Sequence, residues 1–333
     1  MMKRPVYCLL WFLAILGTGC VRKEAAAAGP AAIKIGVSVP QGGKGWIGAL
    51  SRWALQEAEA AETAGDGALD LQVLTAADIL SQIRQVEDLT LWGMRYLVIF
   101  PGEPEILTPI IKTVYARGIQ VVVVEQPLTD SSFGYIHLRG DYSEMGRLSG
   151  LWLAQEMKAA GLTNYAVLGN FPDPADRERA SAFFAEMNRE ISLVNLPGSH
   201  RYGYARGSPQ QGRRLVQAYF RQYPKIDALY CQDDEILPGV LEAVRDARRR
   251  DVKFIFGGGG SRAVLRMIIN NDSPVRATAL YYPPLIREGI RYTAEAAKTG
   301  TFPQSRTPVP VVIPPTLIDI FNAEAYYEAD SPY

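Results

Sequence analysis

The chain has 333 residues, 48% hydrophobic and 21% charged, a globular composition with room for two domains that excludes a disordered chain and a polytopic membrane protein. Lysine and arginine number 35, as do aspartate and glutamate, so no global field draws the chain to nucleic acid or lipid headgroups.

At the start, Lys3 and Arg4 precede an apolar run from Val6 to Leu16. That run is about half of the ~20 residues a spanning helix needs, so residues 1–20 predict an export signal. Its small residues ending at Cys20 resemble a bacterial lipoprotein signal, in which that cysteine becomes the lipid-modified first residue, although Gly17 stands where such signals usually have leucine. Residues 21–32, rich in alanine with one Gly-Pro break, predict a flexible tether. Of three cysteines, Cys8 leaves with the signal and Cys20 takes the lipid. Only Cys231 remains, so no disulfide framework is expected and stability must come from packing.

From Ile33 a regular beat begins. IKIGVSV (33–39) predicts a strand, and Trp46 to Thr63 carries Ile47, Leu50, Trp53, Ala54 and Ala61 at helical spacing. LDLQVL (69–74) alternates as a strand before a helical stretch, and YLVIF (96–100), a helix through PEILTPIIKTVYARG, and IQVVVV (119–124) follow. The beat restarts after Asp141. A helix over about 143–160, YAVLG (165–169), a helix after Ala175 and ISLVNL (191–196) come first. A helix around 210–223, IDALYC (226–231), a helix opened by Asp234, VKFIFG (252–257) and RATALYY (276–282) continue it. A last long helix and PVPVVI (308–313) close the pattern.

Strands that are nearly all apolar and alternate with helices imply parallel sheets covered on both faces. The fold class is therefore α/β, as two doubly wound lobes. In such sheets ligands collect at the carboxyl ends of the strands, so two facing lobes make a cleft that closes on something small.

The ordered set GVSVPQGGKGWIGAL, GIQVVVVEQP, DRERASAFFAEM, IDALYCQDDEILPGVLEAV and RATALYYPP resembles the ribose/galactose-type periplasmic binding proteins over about Ile33 to Pro315. The resemblance implies the type I fold of that family, two Rossmann-like lobes joined by three crossing strands. It also implies residues 33–139 plus 283–307 for the N-terminal lobe and 140–282 plus 308–333 for the C-terminal lobe. LacI-type repressors share this fold but begin with a DNA-reading helix-turn-helix, where this chain has an export signal, so no nucleic acid is expected.

Carried over position by position, the resemblance implies a ligand site of Lys44, Trp46, Glu125, Gln126, Arg177, Asp233 and Tyr281, with Ile47 beside Trp46, and Tyr142 is a further candidate by its place in the chain. Trp46 marks the aromatic wall, Glu125 and Gln126 replace an Asp-Arg pair, Asp233 and Tyr281 replace amides, and Tyr142 follows the crossing RGD (139–141). The aspartate that grips sugar in the family would fall in Gly257–Gly260 and is absent. In the run YCQDDEILPG, a helix start favours carboxylates by itself, so Asp234 and Glu235 are expected to seal the helix, while Asp233 at the strand's carboxyl end is expected to face ligand. Trp46 and Tyr281 read either as core aromatics or as stacking faces.

Catalysis is not expected. The two histidines, His137 and His200, have no metal-ligand spacing, and no nucleophile elbow or zinc-protease motif occurs. No cofactor and no metal are called for. The expected partners are a small polar solute, sugar-like by family, and an ABC permease in the membrane, with a lipid anchor at Cys20 facing the periplasm or cell exterior. The competing role is a co-receptor that presents its liganded form to a sensor histidine kinase, as in trimethylamine-N-oxide sensing.

Overall fold

The computed structural model of the chain describes residues 31–42, 45–196, 204–280 and 285–333. The export signal, Cys20, most of the tether, Lys44, His200 and Tyr281 lie outside the described residues. Residues 32–333 form one unit built on two sheets.

The first sheet takes β1 (Ile33–Pro40), β2 (Leu69–Ala76), β3 (Tyr96–Ile99), β4 (Gln120–Val124) and β5 (Ile136–Gly140). Between them run α1 (Gly45–Gly65), α2 (Ile79–Trp92) and α3 (Pro104–Ala116). In β4, Val122 and Val124 pack into a core under α1, while Val121 and Val123 pack into another under α2 and α3. Strict alternation thus buries all four valines, because both faces of a parallel sheet are covered. Each such burial stabilises by about 1.5–3 kcal/mol.

The second sheet is served by α4 (Tyr142–Ala159), β6 (Asn164–Leu168), α5 (Pro174–Met187), β7 (Val194–Asn195), α6 (Pro209–Gln222) and β8 (Ala228–Cys231). A 3-10 turn at Asp234–Ile236, α7 (Leu237–Asp246), β9 (Phe254–Gly258), α8 (Arg262–Asn270) and β10 (Val275–Leu280) follow. Helix starts are fixed locally: Asp78, Asp173 and Ser208 hold extended backbone and accept from the amides of Ser81, Asp176 and Gln211. Pro174 and Pro209 come next, where a missing N–H costs nothing.

The chain then returns to the first lobe with α9 (Leu285–Thr299), which buries its apolar face against β3 and β4. Glu57 of α1 clamps it, accepting from Arg287 Nε at 3.0 Å and Arg291 Nε at 2.7 Å. After β11 (Val309–Ile313) the chain crosses again to β12 (Thr316–Ile318) and α10 (Ala323–Tyr326). The first sheet has the order β11-β5-β4-β3-β1-β2, all parallel. The second has the order β12-β10-β9-β8-β6-β7, with only the β10–β12 pair antiparallel. This is the α/β, two-sheet architecture expected from the sequence.

Two expectations change. Residues 308–333 do not all join the second lobe: Val309–Ile313 pairs in register with Ile136–Gly140, so the last crossing falls between Ile313 and Thr316. An apolar strand reads alike for either sheet, and its place is set by the backbone beside it. The strand expected over 191–196 shrinks to Val194–Asn195, and Ile191 is 95% exposed, because an edge strand gains pairing on one side only.

Candidate ligand-binding site

A cavity of about 440 Å³ lies between the lobes, walled by residues at the carboxyl ends of the strands. From the first lobe come Pro40 at the end of β1, Trp46 and Ile47 at the start of α1, Phe100 and Gly102 after β3, and Glu125 and Gln126 after β4. From the second come Tyr142, Asn170, Phe171 and Arg179, then Asp233 and Glu235 after β8, and Gly258 and Gly259 at and just past the end of β9. Tyr333 completes the wall.

On the first-lobe side, Trp46 and Phe100 meet with ring centroids 5.5 Å apart and form a tilted aromatic surface. Glu125 leaves the sheet with φ 75°, a left-handed backbone that costs a non-glycine residue about 1–2 kcal/mol. Its main chain is held on both sides: its N–H donates to Leu138 O at 2.8 Å and its carbonyl lies 2.8 Å from His137 Nε2. Burial lowers the His137 pKa, so the neutral ring donates there. The Glu125 carboxylate accepts from the Tyr142 hydroxyl in a short hydrogen bond. Two guanidinium groups approach the Tyr142 ring, Arg139 of the first lobe at 5.6 Å and Arg179 of the second at 6.0 Å.

The second-lobe side is a buried polar network. Asp176, on the inner face of α5, accepts from the amides of Asn170 and Phe171 at 2.7 and 2.6 Å and pairs with Arg179 three residues on. Asn170 Nδ2 donates to Asp233 Oδ2 at 2.6 Å, and Asn170 Oδ1 accepts from Gly207 N. Burial pushes Asp233 up to about 8, reinforced by Glu235 and opposed by Arg179 and the hydrogen bond from Glu235 N, so near neutral pH this group offers a proton as well as an acceptor.

The three acids divide their work differently from the sequence expectation. Asp233 itself caps the 3-10 turn, accepting from Glu235 N at 2.7 Å. Asp234, buried and pushed up to about 6 by desolvation, accepts from Ser261 N at the start of α8 at 2.7 Å. Glu235 reaches the other lobe, where Oε1 accepts from Trp46 N in the first turn of α1 at 2.6 Å. Asp234 and Glu235 do serve helix starts, but those of α8 and α1. Sequence locality hides this, because the acceptor and its donor lie 189 residues apart in the second case.

Of the residues singled out in the sequence, Trp46, Glu125, Gln126, Tyr142 and Asp233 share the cavity, whereas Lys44 and Tyr281 lie outside the described residues. Arg177 does not line it. Its exposed guanidinium donates to Pro172 O at 2.9 Å, and it borders a separate hollow with Tyr204. The guanidinium at the cavity belongs to Arg179, which shares the inner face of α5 with Asp176 by i,i+3 spacing. That spacing was a usable signal. Asn170 and Phe100, each just past a strand end, carried a positional signal as well, whereas nothing local marked Tyr333.

A model of the periplasmic binding protein domain matches residues 35–301. The D-ribose/D-allose-binding protein of Pseudomonas aeruginosa is 26% identical over 208 residues, 61% of this chain and 62% of the relative, so the match spans less than two thirds of that protein. The ribose import binding protein RbsB of Escherichia coli is 23% identical over 236 residues, 68% of this chain and 74% of the relative. A solved ABC transporter solute binding protein from Mycobacterium smegmatis with bound glycerol is similar with TM-score 0.70 and 26% identity, covering 90% of this chain and 98% of that one.

Proposed function

The chain belongs to the periplasmic binding protein family, and we propose that it captures a small, hydroxyl-rich solute in the interlobe cavity and delivers it unaltered to an ABC importer. The observation that carries this is the division of the cavity wall. Trp46 and Phe100 present an aromatic surface, and Asn170, Asp233 and Arg179 present amide, acid and guanidinium groups. A sugar or sugar alcohol has the matching two faces: C–H groups that pack on an aromatic ring, and hydroxyls that both donate and accept. Asp233 and Glu125 would also suit an amine, but Arg179 at the same cavity opposes a cation. The roles of the relatives, ribose import and ribose or allose binding, support transport of a sugar over the sensing role.

In this reading Glu125, Gln126, Tyr142, Trp46 and Asp233 contact the solute, with Arg179 taking the role first given to Arg177. The protein is exported and held at a membrane by lipid on Cys20. Among the described residues no helix is long and apolar enough to cross a membrane. A Cys20→Ser variant is expected to leave the membrane fraction.

The test is a thermal-shift screen of sugars, polyols, nucleosides, amines and N-oxides. A true ligand at a hundredfold excess over its dissociation constant stabilises the native state by about 2.7 kcal/mol. Trp46→Ala and Asp233→Ala are each expected to weaken the hit. Silence across all sugars and polyols, or unchanged affinity in both variants, would defeat the assignment. So would steady hydrolysis of a glycoside that Glu125→Gln abolishes.

A further inference from the structure

We propose that Tyr333 is a specificity-determining wall of the solute cavity, its ring limiting the occupant to about one sugar ring and its hydroxyl bonding that occupant. The proposal rests on the hydroxyl-rich solute assigned above and adds a contact from a segment outside both sheets.

Three observations place Tyr333 there. The segment after β12 is tied to both lobes. Arg262 of α8 donates through Nη1 to Ala329 O at 2.8 Å and through its main-chain N to Tyr333 O at 2.9 Å, while Arg52 of α1 donates to Pro332 O at 3.1 Å. The Tyr333 ring meets Trp53 of α1 edge-on with centroids 6.2 Å apart, so its direction is fixed by packing.

At the cavity, β9 ends in Gly258 and Gly259 follows it, and both offer only backbone. The Tyr333 hydroxyl fills the room that Gly259 leaves: a methyl group built there would come within 2.8 Å of that oxygen. Gly259 also holds φ 136°, which a larger residue would resist. Gly259 and the phenol are therefore complementary, one surface giving way to the other.

The chemistry suits a hydroxyl-bearing solute. Burial, with Asp233, Asp234 and Glu235 nearby, holds the phenol protonated, so it keeps a proton to donate and lone pairs to accept. In a wall otherwise rich in carboxylate and carbonyl oxygens, this is a neutral group able to do both.

The experiment is calorimetric titration of the full chain and its Tyr333→Phe, Tyr333→Ala and Tyr333→Trp variants with pentoses, hexoses, cyclitols and disaccharides. The wild type is expected to bind a single-ring solute and reject disaccharides. Tyr333→Phe keeps the size limit but binds about three- to twelvefold more weakly, the usual effect of one lost hydrogen bond. Tyr333→Ala gains a disaccharide that the wild type rejects, and Tyr333→Trp loses the single-ring solute. Should Tyr333→Ala fail to fold, the Phe and Trp variants decide. Affinities within twofold of wild type and an unchanged panel in the folded variants overturn the proposal alone. A wild type that binds nothing in the panel overturns the solute assignment and this proposal with it.

Discussion

The Glu235 carboxylate accepts the main-chain N–H of Trp46 at 2.6 Å, joining residues that belong to different lobes. The first turn of a helix has unsatisfied N–H groups and a positive end, so a carboxylate there both pairs a donor and meets the dipole. A methyl on Gly45 would collide with the same carboxylate, which explains why the helix begins with glycine. Because the bond spans the cleft, it exists only while the lobes are together. Glu235→Ala is expected to weaken the closed state of the free protein by about 1–3 kcal/mol, and Glu235→Gln, which keeps an acceptor, by less. Small-angle scattering should show a larger radius of gyration for Glu235→Ala. Identical scattering from all three proteins would remove the latch.

The roles of Arg177 and Arg179 can be separated by stability. Arg179 offsets the buried Asp176 carboxylate, so Arg179→Met leaves an uncompensated charge and is expected to cost about 3–5 kcal/mol in urea unfolding. The exposed Arg177→Ala should stay within about 0.5 kcal/mol of wild type. Equal losses would mean the network around Asp176 has been misassigned.

Arg179 is placed by the close approach of α4 and α5. A methyl on Gly146 would run into the Arg179 carbonyl, and one on Gly150 would come to 2.7 Å from Phe183 O. Gly146→Ala is therefore expected to force the helices apart at about 1–3 kcal/mol and to weaken solute binding by moving Arg179. Full stability with full affinity in that variant contradicts the account.

Asp233 gives a pH dependence of definite sign. Its folded pKa of about 8 lies above the ordinary aspartate value of 3.8. Between those values the folded state holds a proton that the unfolded state has lost, so the contribution is present below about pH 4 and falls away as pH rises through 8. Asp234, at about 6, adds a loss of the same sign over a narrower window. Asp233→Asn should therefore shrink the drop in melting temperature between pH 5 and 8.5. An unchanged or larger drop would place the Asp233 pKa near its ordinary value.

Much of the fold is legible in the chain itself. A strand such as Val121–Val124 is apolar at every position because both faces of its sheet are covered, and that run can be read without any knowledge of neighbours. Helix starts are similar, since Asp78, Asp173 and Ser208 each act on an amide three residues away. The positions just past strand ends, Trp46, Glu125 and Asp233 among them, follow from the rule that parallel sheets gather ligands at that edge.

What the chain alone could not decide is which distant groups meet. Val309–Ile313 looks the same whichever sheet takes it, and its lobe is settled by the backbone of Ile136–Gly140 lying alongside. Whether Arg177 or Arg179 turns inward depends on where α4 presses against α5. Glu235 finds Trp46 only once the crossings have brought the lobes together, and Tyr333 finds Gly259 only once the last crossing has returned the chain to the second sheet. Local sequence sets periodicity and caps because those forces act within a turn or two. The pairing of remote surfaces is set by packing in three dimensions, where separation along the chain has no bearing on distance.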